Sequence, residues 1–173
     1  MKNLGTIIDG HSLRFERMLP GPRMRVWDFL TKRELLRLWL ADGAIAERVG
    51  SKVELRFNVE ESPERKKAGA VIRGTVFRCE MGTALSYSWT DQNCDSIVTF
   101  ELESIDERVL LVVTQNDLPE KLAPKCGAGW HAHLETLEAR LKGEEPPAFH
   151  KTFHALVPIY EAQMPGARGK MVS

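Results

Sequence analysis

One long amphipathic helix constrains the fold of this chain more than any other segment. Between Pro124 and Leu141, bulky residues recur every three or four positions, and this spacing places them on one face of an α-helix. That face consists of Cys126, Trp130, His133, Leu134, Leu137 and Leu141. Gly143 is a typical helix end, and Pro146-Pro147 cannot continue the helix. Such a face has to be buried against another layer of the protein.

The second layer is predicted upstream, where short β-rich runs alternate with turn signals. Candidate strands cover residues 44–49, 52–60, 70–80, 84–90, 96–103 and 108–116. An earlier strand is predicted from Leu13 to Leu19, because apolar and charged residues alternate there. Short connections between consecutive strands favour an antiparallel meander. We therefore expect an α+β fold in which a curved antiparallel sheet wraps around the long C-terminal helix.

Two short helices are predicted between the first strand and the others. Pro22 follows a Pro-Gly turn and stands where a helix can begin. Thr31 and Glu34 have the spacing of a capping box, which would start the second short helix. These helices would close one end of the two layers, and the space left between the sheet and the long helix would form a pocket.

The chain is expected to contain one domain, residues 1–143, followed by a C-terminal extension, residues 144–173. Its length of 173 residues suits a single domain. The extension carries four apolar residues near helical spacing, Phe149, Phe153, Leu156 and Tyr160. Pro158 is expected to interrupt that helix, because proline lacks the backbone N–H that a helix interior requires.

Charge and cysteine content argue against several classes of function. Lys plus Arg and Asp plus Glu number 24 each, so the formal net charge is zero, which argues against nucleic acid and against an anionic membrane as partners. Cys79, Cys94 and Cys126 form no C-x-x-C pair, which leaves no zinc ribbon and no thioredoxin-type site. The N-terminus lacks the apolar core of a signal peptide, and no apolar run is long enough to span a bilayer. We expect a soluble cytoplasmic protein with reduced thiols.

The order of these elements and several motifs resemble the START-like (SRPBCC) superfamily, in the branch named after activators of the heat-shock-protein-90 ATPase. The resemblance covers about residues 12 to 143. It is carried by residues 19–22, 26–27, 30–31, 38–40, 74–76, 85–89, 96–102 and 129–134, together with Leu137. It implies a helix-grip fold whose cavity binds a small apolar or amphipathic molecule. The family name also implies, as an alternative, a chaperone-associated role in the stress response.

Six residues are candidates for lining the expected cavity: Trp39, Tyr87, Trp89, Trp130, His133 and Leu137. Aromatic walls give a large contact area at a small cost in entropy. Trp39 and Trp89 would lie near the mouth, and the Tyr87 hydroxyl would point inward, where it needs a partner. Core packing is the alternative for these side chains, and a satisfied core position is the alternative for His133.

No catalytic residue, cofactor or metal is predicted. The sequence lacks the G-x-S-x-G, H-E-x-x-H and glycine-rich phosphate-binding motifs. His131 and His133 do not share a helix face, so they form a poor metal pair. An enzyme stays open as an alternative, with His133 as a base and Tyr87 as a polarising donor. Arg73, within a β-rich run, is expected to face solvent.

An interaction protein is the other alternative. It would use an exposed apolar surface made by Phe149, Phe153 and Tyr160 of the extension. Its partner would be a chaperone, or a second copy of this chain paired through the extension. If the extension packs on its own domain instead, this alternative is weakened.

Overall fold

A computed structural model of the chain describes residues 4–8, 10–57 and 70–164. The strands in this part of the chain are β1 (Thr6–Ile8), β2 (Ser12–Pro20), β3 (Lys52–Arg56), β4 (Val71–Glu80), β5 (Ala84–Thr90), β6 (Asp95–Ile105) and β7 (Arg108–Asn116). The helices are α1 (Arg23–Thr31), α2 (Arg33–Leu36), α3 (Ala123–Lys142) and α4 (Phe149–Gln163). A short 3-10 turn, Glu120–Leu122, leads into α3.

The seven strands form one antiparallel sheet in the order β1-β2-β7-β6-β5-β4-β3. Strands β3 to β7 follow one another as the expected meander, and β2 returns to pair with β7, with Phe15 opposite Val113. Side chains alternate between the two faces of a strand. In β2 this alternation buries Leu13, Phe15 and Leu19 on the inner face. The predicted strand is thus confirmed, and the curved sheet offers an apolar inner face.

The predicted long helix is confirmed as α3, within one residue at each end. Its apolar residues Trp130, Leu134, Leu137 and Leu141 are all buried, and they share one core with the inner face of the sheet. Gly143 ends the helix with φ of 71°, a left-handed conformation that glycine adopts without a steric penalty. The burial of α3 against the sheet is the central contact of the fold.

One predicted strand is absent, and one strand of the structure was not predicted. Residues 44–49 form no strand but a loop, in which the Glu47 carboxylate accepts a hydrogen bond from the Trp27 indole N–H at 2.5 Å. The short strand β1 was not expected, because three residues are too few to display an alternating pattern. Strand β3 ends at Arg56, and residues 58–60 of the predicted 52–60 strand lie outside the described residues.

The predicted capping box is also wrong, although both short helices are present. The Thr31 hydroxyl donates to the Trp27 carbonyl at 3.1 Å, within α1. Helix α2 begins at Arg33 without a side-chain cap. Threonine hydroxyls readily bond to the carbonyl four residues earlier in a helix, and here that local bond replaces the cap.

The extension folds as α4, which packs along α3 and buries Leu156 and Tyr160. Pro158 does not interrupt this helix, contrary to the prediction. It leaves the carbonyl of His154 without its helical partner, but both residues are exposed, so water can take that place. Within the described residues, no helix has the length and apolar character needed to cross a membrane.

Candidate ligand-binding pocket

A pocket of about 280 Å³ lies between the sheet and the N-terminal half of α3. Its apolar lining is formed by Leu40, Phe57, Trp89, Leu122, Cys126 and Trp130. Gln115 and His133 are the polar residues on its inner wall, and Asn93 and Lys125 are exposed residues of its rim. The volume is just below the usual range of about 300–1,000 Å³ for small-molecule sites. The pocket therefore suits a small ligand with an apolar body.

Aromatic rings from three different segments meet around this pocket. The ring centroids of Trp89 on β5 and Trp130 on α3 are 5.3 Å apart. Phe57, which follows β3, lies 5.6 Å from Trp89 and 5.9 Å from the His133 ring. These distances are typical of favourable aromatic contacts. The rings thus form a continuous wall on which a flat apolar ligand can pack.

Behind the wall, the buried polar groups are bonded to one another. The Trp130 indole N–H donates to Gln115 Oε1 at 2.7 Å, and Gln115 Nε2 donates to the Ser96 hydroxyl at 2.9 Å. Ser96 in turn donates to the carbonyl of Trp89 at 3.0 Å. Because Trp130, Gln115 and Ser96 already have these partners, their polar groups need neither a ligand nor water to satisfy them.

His133 is held in one tautomer by the backbone. Its Nδ1 lies 2.9 Å from the carbonyl oxygen of Trp39, and a carbonyl only accepts, so Nδ1 carries the proton. Burial lowers the pKa of His133 to about 4, so the imidazole is neutral at pH 7. The ring of Phe149, the first residue of α4, packs 4.5 Å from the His133 ring. His133 therefore presents a fixed, uncharged ring with an unprotonated Nε2.

Three of the six predicted cavity residues, Trp89, Trp130 and His133, line this pocket, and the other three do not. Trp39 is buried, and its indole N–H donates to the Phe29 carbonyl at 2.8 Å. Tyr87 is fully buried behind Trp89, with ring centroids 6.3 Å apart. Leu137 is fully buried in the core. A role of any of these residues in ligand binding stays a prediction.

The enzyme alternative needs His133 and Tyr87 to face the same cavity. Tyr87 does not line the pocket, and its buried hydroxyl has no hydrogen-bond partner among the described residues. A histidine with a pKa of about 4 is also a weak base at pH 7. Within the described residues, His133 and Tyr87 therefore do not face one shared pocket, as this alternative expects.

The remaining candidates have ordinary structural surroundings. Arg73 is exposed, as expected, and its Nε lies 3.6 Å from a Glu54 carboxylate oxygen. Burial raises the pKa of the Cys126 thiol to about 12, which is typical of a packed cysteine and not of a reactive one. Within residues 4–8, 10–57 and 70–164, no three His, Cys, Asp or Glu side chains group as metal ligands would.

A second polar cluster, on the side of α3 that faces α4, was missed from the sequence. The Tyr160 hydroxyl accepts from the Gly5 N–H at 2.8 Å and lies 2.9 Å from His131 Nδ1. His131 Nε2 lies 3.2 Å from the Glu135 carboxylate. Tyr160 therefore donates to Nδ1, and Nε2–H donates to Glu135. Burial, together with the charge of Arg17, lowers the pKa of His131 and favours this neutral form.

One signal in the sequence could have revealed this cluster. Arg17 lies two residues from both Phe15 and Leu19 on β2, so the alternation that buries them also places Arg17 on the inner face. It is 4% exposed, and its Nη1 donates to the Glu16 carbonyl at 2.9 Å. A cation on an apolar strand face predicts polar groups around it.

Comparisons with known proteins agree with this architecture. The sequence matches the model of one protein family, Activator of Hsp90 ATPase homolog 1-like protein, over residues 20–142. A Bordetella parapertussis protein of known solution structure is 35% identical, with 92% of this chain and 90% of that chain covered and a TM-score of 0.78. No curated protein gives a significant match.

More distant structures share the fold. CalU16 from Micromonospora echinospora is 20% identical, with 92% of this chain and 94% of that chain covered and a TM-score of 0.71. For the Aha1 dimer from Colwellia psychrerythraea, the identity is 18%, the coverage is 75% of this chain and 95% of that chain, and the TM-score is 0.62. The expected START-like fold is confirmed, and α4 lies beyond the family match.

Proposed function

Because the chain belongs to the Activator of Hsp90 ATPase homolog 1-like family, we propose that it is a cytoplasmic binding protein that holds a small apolar or amphipathic molecule between the sheet and α3. The aromatic pocket is the observation that carries this proposal. Phe57, Trp89 and Trp130 supply flat apolar surface. Gln115 is already hydrogen-bonded to its neighbours, so an apolar ligand can displace water without leaving that group unpaired.

An interaction protein is supported less well by the same geometry. The surface expected for it was the apolar face of the extension, but Tyr160 is fully buried and Phe149 packs on His133. Pairing of two copies through that face, or docking of a chaperone on it, would require α4 to leave α3. A ligand enclosed by the domain needs no such rearrangement, which is why we favour the binding protein.

Native mass spectrometry of the protein purified from its own host tests the proposal directly. We expect a discrete added mass that is lost on denaturation and that belongs to a small organic molecule. The released compound would identify the ligand class. A protein that is consistently empty, with another protein co-purifying instead, would contradict the binding function and support the interaction alternative.

A pocket-filling variant at Gly129 tests whether this pocket is the site. Gly129 lines the pocket, and a Cβ built on it meets no atom within 4 Å. Gly129→Leu should therefore place a side chain in the pocket with no clash at its Cβ, keep the fold and abolish the added mass. Ala155→Leu, at an exposed position of α4, is the matched control. Retention of the ligand by a folded Gly129→Leu protein would exclude this pocket as its site.

A further inference from the structure

Among the described residues that line the pocket, His133 offers a hydrogen-bond acceptor that no other described residue uses. His133 donates from Nδ1 to the Trp39 carbonyl, which leaves Nε2 as an acceptor. Nε2 makes no hydrogen bond with any described residue. It is also not one of the described side-chain atoms that are both fully buried and unpaired, so part of its surface is open. It is therefore reachable from the open space that His133 lines. The lowered pKa of His133 keeps this atom unprotonated near neutral pH.

Two other side-chain acceptors of the pocket are engaged, and a third belongs to an exposed residue. Gln115 Oε1 accepts from the Trp130 indole N–H. Asp91 Oδ1 accepts from the backbone N–H groups of Asn93 and Cys94, and so closes the turn between β5 and β6. The Asn93 side chain belongs to the exposed rim. His133 Nε2 is thus the unengaged acceptor next to the aromatic rings.

The surroundings of Nε2 make a donor on the ligand important. The His133 ring packs against Phe57 at 5.9 Å, Trp130 at 6.4 Å and Phe149 at 4.5 Å. A ligand that fills this aromatic space displaces water from Nε2. If the ligand has no donor, a buried acceptor is then left unpaired, which lowers affinity; a ligand with a hydroxyl replaces the lost bond.

We propose that the pocket selects aromatic or other apolar molecules that carry a hydroxyl, and that this hydroxyl donates a hydrogen bond to Nε2 of His133. The inference rests on the proposed binding function and specifies its ligand class. A hydroxyl also accepts a hydrogen bond. Trp89 lines the same pocket, and its indole N–H, which makes no hydrogen bond within the described chain, is a donor available to that hydroxyl.

Two probes of nearly equal shape distinguish the contribution of the hydroxyl to affinity from that of the apolar body. We would titrate the wild-type protein with 2-naphthol and with 2-fluoronaphthalene at pH 7 by isothermal titration calorimetry. One hydrogen bond in such a site changes affinity by about three- to tenfold, so 2-naphthol should bind tighter by that factor. In His133→Phe, which keeps an aromatic ring but has no acceptor, the two affinities should become equal.

A measurement on the wild-type protein covers the case in which His133→Phe does not fold. The ¹⁵N resonance of His133 Nε2 should shift when 2-naphthol is added, because the nitrogen gains a hydrogen bond, and should move much less with 2-fluoronaphthalene. Equal affinities of the two probes in the wild type, or an unchanged Nε2 resonance with bound naphthol, would overturn the inference and leave the apolar pocket as a binding site. Binding of neither probe would contradict the proposed function as well.

Discussion

The two tyrosines of the chain provide a matched test of how a buried hydroxyl affects stability. Tyr87 and Tyr160 are both fully buried. The Tyr160 hydroxyl accepts from the Gly5 N–H and donates to His131 Nδ1. The Tyr87 hydroxyl has no partner in the part of the chain that the structure describes, and burial raises its pKa. The same change, Tyr→Phe, should therefore have different consequences at the two positions.

The expected magnitudes follow from the hydrogen bonds. Tyr160→Phe leaves the buried N–H of Gly5 and the Nδ1 of His131 without partners. Each such loss costs about 1–3 kcal/mol, and the two costs are not fully additive because both groups share one hydroxyl. We expect a decrease in the free energy of unfolding of about 2–4 kcal/mol. Tyr87→Phe removes a hydroxyl that is desolvated without compensation, so its effect should be about zero or slightly stabilising.

Urea denaturation followed by tryptophan fluorescence measures both effects. If the slope of the free energy of unfolding against urea concentration is unchanged, a shift of the midpoint reports a change in stability alone. In a domain of this size, 2–4 kcal/mol corresponds to a decrease in Tm of about 4–16 °C. A loss in Tyr87→Phe as large as that in Tyr160→Phe would refute the reasoning, because it would mean that the Tyr87 hydroxyl has a stabilising partner.

Three further variants test the pocket region by urea or thermal denaturation. The pKa of His133 is about 4 in the folded protein and 6.5 as the reference value, so the folded protein binds fewer protons than the unfolded one between these pH values. About 3 kcal/mol of stability should therefore be lost as pH falls from above 6.5 to below 4. His133→Phe should show less of this loss, and an unchanged pH profile of stability in the variant would contradict the assignment. Gln115→Leu should lower the free energy of unfolding by about 2–3 kcal/mol, since it leaves the Trp130 indole N–H unpaired. The control Gln92→Leu, at an exposed position, should have little effect. Equal losses in the two variants would argue that the buried hydrogen bond between Trp130 and Gln115 does not stabilise the fold. Gly129→Ala should gain up to about 1 kcal/mol, because alanine favours a helix interior and its Cβ meets no atom; a loss would show that the site is not open.

Much of the fold could be predicted because it depends on short repeats along the chain. The three-and-four spacing of Trp130, Leu134 and Leu137 identifies α3 wherever that helix packs. The alternation around Phe15 identifies β2 in the same way. Two local predictions failed for reasons that the local sequence pattern does not show. Thr31 bonds within α1 instead of capping α2, and α4 continues through Pro158 because the lost bond faces solvent.

The sequence by itself therefore determined which faces are apolar, and with them the order of the layers and the presence of an interior. It placed Trp89, Trp130 and His133 on candidate inner faces, but it did not decide their partners. The tautomer of His133 depends on a carbonyl 94 residues away, and the Tyr160 cluster begins with an N–H 155 residues away. Contacts between residues so far apart in the chain leave no repeating pattern in the sequence. They arise only when the packed sheet and helices remove water and leave each buried polar group with the neighbours that the fold provides.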